Sequence, residues 1–223
     1  MVAPSGGSAG IGRVRIDPPD LPDVLEPATA LGPEGLEAAL LEDADASGLR
    51  AAAVRIDASR LIRVVLSGAR LANLDVRDSE LTGCDLANAD LRGAVLRRTR
   101  VSGGRLTGLT WTDGEAGDVA LEDCRADLAA LAGARLERVR FSSCSLAQAD
   151  LQGARLKTVV FEDCDLTAAD VSGCRFDGVE LRGCRLEGLR GAAALRGVAM
   201  PWGDVLQSAA VFAAACGVRV LDA

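Results

Sequence analysis

The chain of 223 residues contains no histidine and no tyrosine. That removes Ser-His-Asp and Cys-His catalytic arrangements, histidine general bases and histidine-containing zinc sites. No stretch approaches the ~18 apolar residues needed to span a membrane. The N-terminus lacks a basic segment followed by an apolar one, so a secretory signal is not expected. Basic charge is not in excess either. The net charge is −7, which gives no reason to expect direct nucleic-acid binding. A cytoplasmic protein with no cofactor and no metal is the expectation.

What the chain does have is a period of five. From Leu41 to Leu186 every fifth residue is apolar, with no insertion or deletion. The clearest run is Ala134 to Gly188. Five is neither the 3.6 of a helix nor the 2 of a strand, so it marks an internal repeat. The residue two before each central position is small or β-branched, as at Ala69, Cys84, Ala89 and Val179. The residue two after it is often glycine, as at Gly68, Gly93, Gly153 and Gly183. One large apolar residue, one small one and one turn residue per five describe a short side and a corner.

Ala89-Asp90-Leu91-Arg92-Gly93 and Ala149-Asp150-Leu151-Gln152-Gly153 match the A(D/N)LXX motif. The chain therefore resembles the pentapeptide-repeat family, with cysteine in the alanine position at Cys84, Cys144 and Cys164. The resemblance implies an all-β fold, a right-handed quadrilateral β-helix with four pentapeptides per coil. It is specific for fold and poorly specific for function. At that count the repeats make about 7.5 coils and, with ~4.8 Å between stacked strands, a rod roughly 36 Å long. Such coils bury their apolar residues only by stacking, so the ends need caps.

Length alone allows one or two domains; the unbroken register favours one. Residues 1–38 read as a flexible or extended lead-in with a short cap at Gly32–Leu41, given the Gly/Ser-rich start and Pro18, Pro19, Pro22 and Pro27. Gly6–Gly12 faintly resembles a phosphate loop, but no strand precedes it and no lysine follows, so a tail is the better reading. Residues 39–190 form the repeat body. Residues 191–223 form a cap, with a helix over Val205–Cys216, Asp204 as N-cap and Gly217 as the C′ residue. The helix is apolar almost all round, so Val205, Leu206, Val211 and Phe212 are candidates for a lid on the last coil or for a homodimer contact. Val218–Leu221 could close the chain as a short strand. One region is weak. Trp111 is oversized for a narrow interior and Ala116 and Ala126 underfill it, which predicts a local bulge or an outward-turned Trp111.

Chemistry falls to the seven cysteines. A 20-residue coil puts Cys84, Cys124, Cys144, Cys164 and Cys184 on one face, where buried thiols fit better than disulfides or a metal site. Carboxylate pairs such as Glu122/Asp123 and Glu162/Asp163 read as solvated flanks. An enzyme would need a reactive cysteine. The leading reading is a non-catalytic scaffold that binds an unidentified protein partner. Its candidate surface is the basic face of Arg97, Arg98, Arg135, Arg138, Arg155 and Lys157, with Glu115 and Asp118 among them. The alternative, implied by the resemblance, is a duplex-DNA mimic that binds DNA gyrase or topoisomerase IV and gives quinolone resistance or toxin self-immunity. Mimicry requires a continuous acidic stripe in place of phosphates. Much of the excess acid sits in residues 1–38, and the repeat body is nearly balanced.

Overall fold

The computed structural model describes residues 14–219. Gly6–Gly12 and the end of Val218–Leu221 lie outside the described residues. The strands, in chain order, are β1 (Glu26–Ala28), β2 (Leu36–Glu37), β3 (Ala39–Glu42), β4 (Arg50–Ala52), β5 (Arg55–Asp57), β6 (Arg60–Ile62) and β7 (Arg70–Ala72). Next come five eight-residue strands: β8 (Asp75–Thr82), β9 (Val95–Ser102), β10 (Glu115–Glu122), β11 (Arg135–Ser142) and β12 (Arg155–Glu162). β13 (Arg175–Asp177) and β14 (Glu180–Arg182) close the series. Every pairing is parallel, and nearly all link residues twenty apart, as in Leu136↔Leu156 and Phe141↔Phe161. The chain is a parallel β-solenoid whose coil is four pentapeptides. Its sheet starts before residue 39, since β1 pairs with β3 and β2 with β5.

The corners explain the period. φ is positive at every fifth residue from Ala38 to Gly188. Glycine takes this left-handed conformation freely, whereas an L side chain there costs about 1–2 kcal/mol. Even the β-branched Thr158 adopts it, at φ 55°, because the stacked coils above and below fix the corner. The four sides are unequal. β8 to β12 each run round one corner and build a continuous sheet over two sides. The other two sides touch through single-residue bridges such as Asp85↔Arg105 and Asp90↔Thr110, except where β4 pairs with β7 over three residues. Tight turns connect them: Ala89 N–H donates to Leu86 O at 3.1 Å, with Asn88 in the left-handed position.

The interior is a set of vertical columns. Leu71, Leu136, Leu146, Leu151 and Leu156 are fully buried, and one apolar cluster runs from Leu31 to Leu195. Phe141 and Phe161 stack with ring centroids 4.8 Å apart and planes 3° from parallel, the spacing of adjacent strands. Buried hydroxyls are satisfied: Ser79 Oγ donates to Arg77 O and accepts from Ser59 N at 3.1 Å.

Trp111 corrects the expectation. It points inward and is 4% exposed, and the flanking coils keep register through β9, β10 and β11 with no bulge. Space comes from its neighbour: a Cβ on Gly114 would lie 2.0 Å from Trp111 Nε1. The indole N–H is satisfied by Ala94 O at 2.9 Å. Missing volume at Gly114 and Ala116 is thus filled by one large side chain from the preceding repeat.

The C-terminal region is a cap, with two corrections in detail. The helix breaks into α1 (Trp202–Gln207) and α2 (Ala209–Ala215) around Ser208. Pro201, not Asp204, is the N-cap residue. Asp204 instead accepts a hydrogen bond from Gly183 N at 2.6 Å, which ties the cap to the last coil. Gly217 does end α2 in the left-handed conformation: Val218 N bonds Ala213 O and Gly217 N bonds Ala214 O. No described helix is long and apolar enough to cross a membrane.

Candidate functional site

Strand side chains point alternately in and out, so stacking at a fixed register turns every outward position into a column along the rod. What a column displays depends on which residues recur every twenty. Three columns carry the basic residues singled out by sequence, and they differ in kind.

The corner column reads Asp78, Arg98, Asp118, Arg138. Arg98 grips Asp78 through Nε to Oδ1 at 2.6 Å, and Arg138 grips Asp118 in the same bidentate way at 2.8 and 2.7 Å. Each arginine holds its carboxylate partner well below the usual carboxylate range, through the hydrogen bond first. Arg98 and Arg138 are thus engaged within the molecule. The next column pairs Lys157 with Glu137 at 3.1 Å and sets Arg97 3.6 Å from Glu115.

The third column is different. Glu115, Arg135, Arg155 and Arg175 face one another in strict register on β10, β11, β12 and β13. Arg135 meets Glu115 at 3.0 Å. Arg155 and Arg175 have no ion pair among the described residues. All three arginines are exposed. Like charges directly opposite on neighbouring strands are destabilising. Arg175 was missed by the sequence reading, although its spacing of twenty from Arg155 was available.

The thiols have little chemistry to offer. Cys84, Cys124, Cys144, Cys164, Cys174 and Cys184 are buried and free, and only Cys216 is exposed. Burial pushes the Cys84 thiol up and takes Cys174 up to about 11, the reverse of what a nucleophilic thiolate needs. Their Sγ atoms donate to carbonyls of the coil below, as Cys144 does to Leu121 O at 3.4 Å and Cys164 to Phe141 O at 3.5 Å. Among the described residues no group of acidic and cysteine side chains could hold a metal ion.

At the cap, the four residues singled out divide. Val211 and Phe212 pack on the core cluster, Val205 is half-buried, and Leu206 is 58% exposed beside Trp202 at 73%. Under α2 lies an open cavity of about 500 Å³ that includes Leu186, Leu189, Ala192 and Val211 in its lining.

Two family models match the chain: a pentapeptide repeat region over residues 115–190 and an eight-copy set of pentapeptide repeats over 59–108. No curated protein matches. Among solved structures, full-length QnrB1, a plasmid-mediated fluoroquinolone resistance protein, is 15% identical. That match covers 82% of this chain and 91% of QnrB1, with a TM-score of 0.35. HetL, a pentapeptide repeat protein involved in heterocyst differentiation regulation in the cyanobacterium Nostoc sp. strain PCC 7120, is 22% identical. There 77% of this chain and 91% of HetL are covered, with a TM-score of 0.24.

Proposed function

Given that this chain belongs to the pentapeptide-repeat family, we propose that it is a non-catalytic scaffold that binds a protein partner through its exposed arginine row. One observation carries this reading. Arg135, Arg155 and Arg175 stack in register with a single carboxylate, Glu115, at one end. An ordinary soluble surface intersperses both signs, as the corner column does. A like-charged row on a rigid strand face costs the free protein stability and is offset when an acidic segment lies along it. Of the six residues on the basic face, Arg135 and Arg155 belong to this row. Arg97, Arg98, Arg138 and Lys157 flank it, each beside a carboxylate of the same molecule. Burial of six of the seven thiols and the lack of histidine support a role without catalysis.

The test is a comparative pull-down from a cytoplasmic extract, with the whole chain and with Arg155→Glu/Arg175→Glu as baits. A partner held by the first and lost by the second supports the row. A partner retained equally by both refutes it. Exposed Trp202 and Leu206 favour a second contact, a homodimer through the cap. A monomer mass in solution at high micromolar protein would remove it. The duplex-DNA mimic is the weaker reading, because the corner column alternates carboxylate with arginine and the strand column is basic where phosphates would demand an acidic stripe. Inhibition of gyrase supercoiling by the purified protein at low micromolar concentration would restore it.

A further inference from the structure

Residues 14–25 form no strand, yet they are not detached. This arm folds back along the rod, antiparallel to the direction in which the coils climb. Asp20 N donates to Asp78 Oδ1 at 3.1 Å, and Asp17 N points to Asp118 Oδ1 at 3.5 Å. Arg140 Nη2 closes the far end on Val14 O at 2.9 Å. Val14 is 5% exposed and covers the outward-facing Val160, which is buried, as is Ala120 beside the arm.

The spacing explains the fit. Asp78 and Asp118 are two coils apart, about 9.6 Å at ~4.8 Å per coil. Asp17 and Asp20 are three residues apart, and a polyproline helix rises ~3.1 Å per residue, or about 9.3 Å in one full turn. Pro18 and Pro19, between the two aspartates, favour that conformation. Each anchoring carboxylate is fixed by its own arginine in the same geometry, so the two sites are copies of one unit. The arm's acidic side chains lie near the same guanidiniums, Asp17 by Arg138 and Asp20 by Arg98, which adds charge complementarity.

We propose that the Asp78–Arg98 and Asp118–Arg138 pairs form a docking track for an extended, proline-containing acidic peptide of a partner protein. In the free protein the track is filled by the chain's own Asp17-Pro18-Pro19-Asp20. A partner segment of Asp-x-x-Asp spacing takes it when the arm lifts. This surface is distinct from the arginine row, because it reads backbone amides through carboxylates held by arginine and not an acidic side-chain stripe through bare arginines.

The experiment uses the whole chain and a fluorescein-labelled synthetic peptide copying residues 14–24. In Asp17→Lys/Asp20→Lys the new ammonium groups face Arg138 and Arg98, and hydrogen exchange at amides 17 and 20 reports arm release. An intramolecular segment competes at millimolar effective concentration, so the released chain binds the peptide at least about tenfold more tightly than the native chain. Adding Asp118→Ala to the released chain, with the fold checked by circular dichroism, weakens peptide binding about fivefold or more. Equal peptide binding by native and released chains overturns the proposal, as does indifference to Asp118→Ala. Retained protection of the two amides overturns it too, since the arm would then be held without the charge complementarity that makes the track choose an acidic segment.

Discussion

Two outward columns stand on the same coils and follow opposite rules. The corner column alternates sign, Asp78, Arg98, Asp118, Arg138, and each carboxylate is gripped by the next coil's arginine. The strand column Arg135, Arg155, Arg175 repeats one sign and leaves two of its three guanidiniums without a described ion pair. The backbone treats both alike, since parallel in-register stacking brings any residue to ~4.8 Å from its counterpart. The difference lies in side-chain choice alone. Alternation serves stability and seats the arm; repetition costs stability and leaves charge on display.

Both columns depend on one continuous interior, so the broadest way to break the comparison is from within. Trp111→Ala leaves a cavity beneath strands of both and should cost about 3–5 kcal/mol in chemical denaturation. Gly114→Ala approaches the same site from the other side. Its new methyl would stand 2.0 Å from Trp111 Nε1, and the overpacking should cost about 1–3 kcal/mol. The penalty should shrink in a Trp111→Leu background, a coupling that a double-mutant cycle measures.

Acid separates the columns. Asp78 and Asp118 have folded-state pKa values held below the ordinary one, first by the hydrogen bonds from Arg98 and Arg138. Their stabilisation is fully present above the unfolded carboxylate value of about 4 and is lost as pH falls through the folded values. As pH falls through those lowered folded values the corner column should become like-charged, with the arm amides losing exchange protection. Protection that persists unchanged to pH 2 would contradict this.

How much of this was legible follows from what repeats. The coil was readable because its apolar centre recurs at a fixed interval, and its glycine corners announced the left-handed turns. Corners at Asp78, Asp118 and Thr158 gave no such local signal, because stacking and not residue type imposes their backbone. Trp111 was misjudged because each interior slot was judged alone, when Gly114 supplies the room. Asp204 has the chemistry of an N-cap, but its carboxylate is drawn to Gly183 N across the cap. Arm docking joins residues 58 and 101 positions apart, a distance at which no periodicity speaks. The arginine row was half seen: Arg135 and Arg155 were named, and extending the twenty-residue interval once more reaches Arg175.

The most direct test needs no knowledge of the partner. Arg155→Glu turns Glu115, Arg135, Arg155, Arg175 into an alternating column, and each new opposite-charge neighbour contributes roughly 0.2–1 kcal/mol. Thermal and urea unfolding of the native chain and this variant, at low salt, would settle whether the row is held against stability. The account predicts a variant more stable by about 0.5–1 kcal/mol, with the gain fading as salt is raised. An unchanged or lower stability would mean that the row costs the free protein nothing, and the case for it as a binding surface would fall.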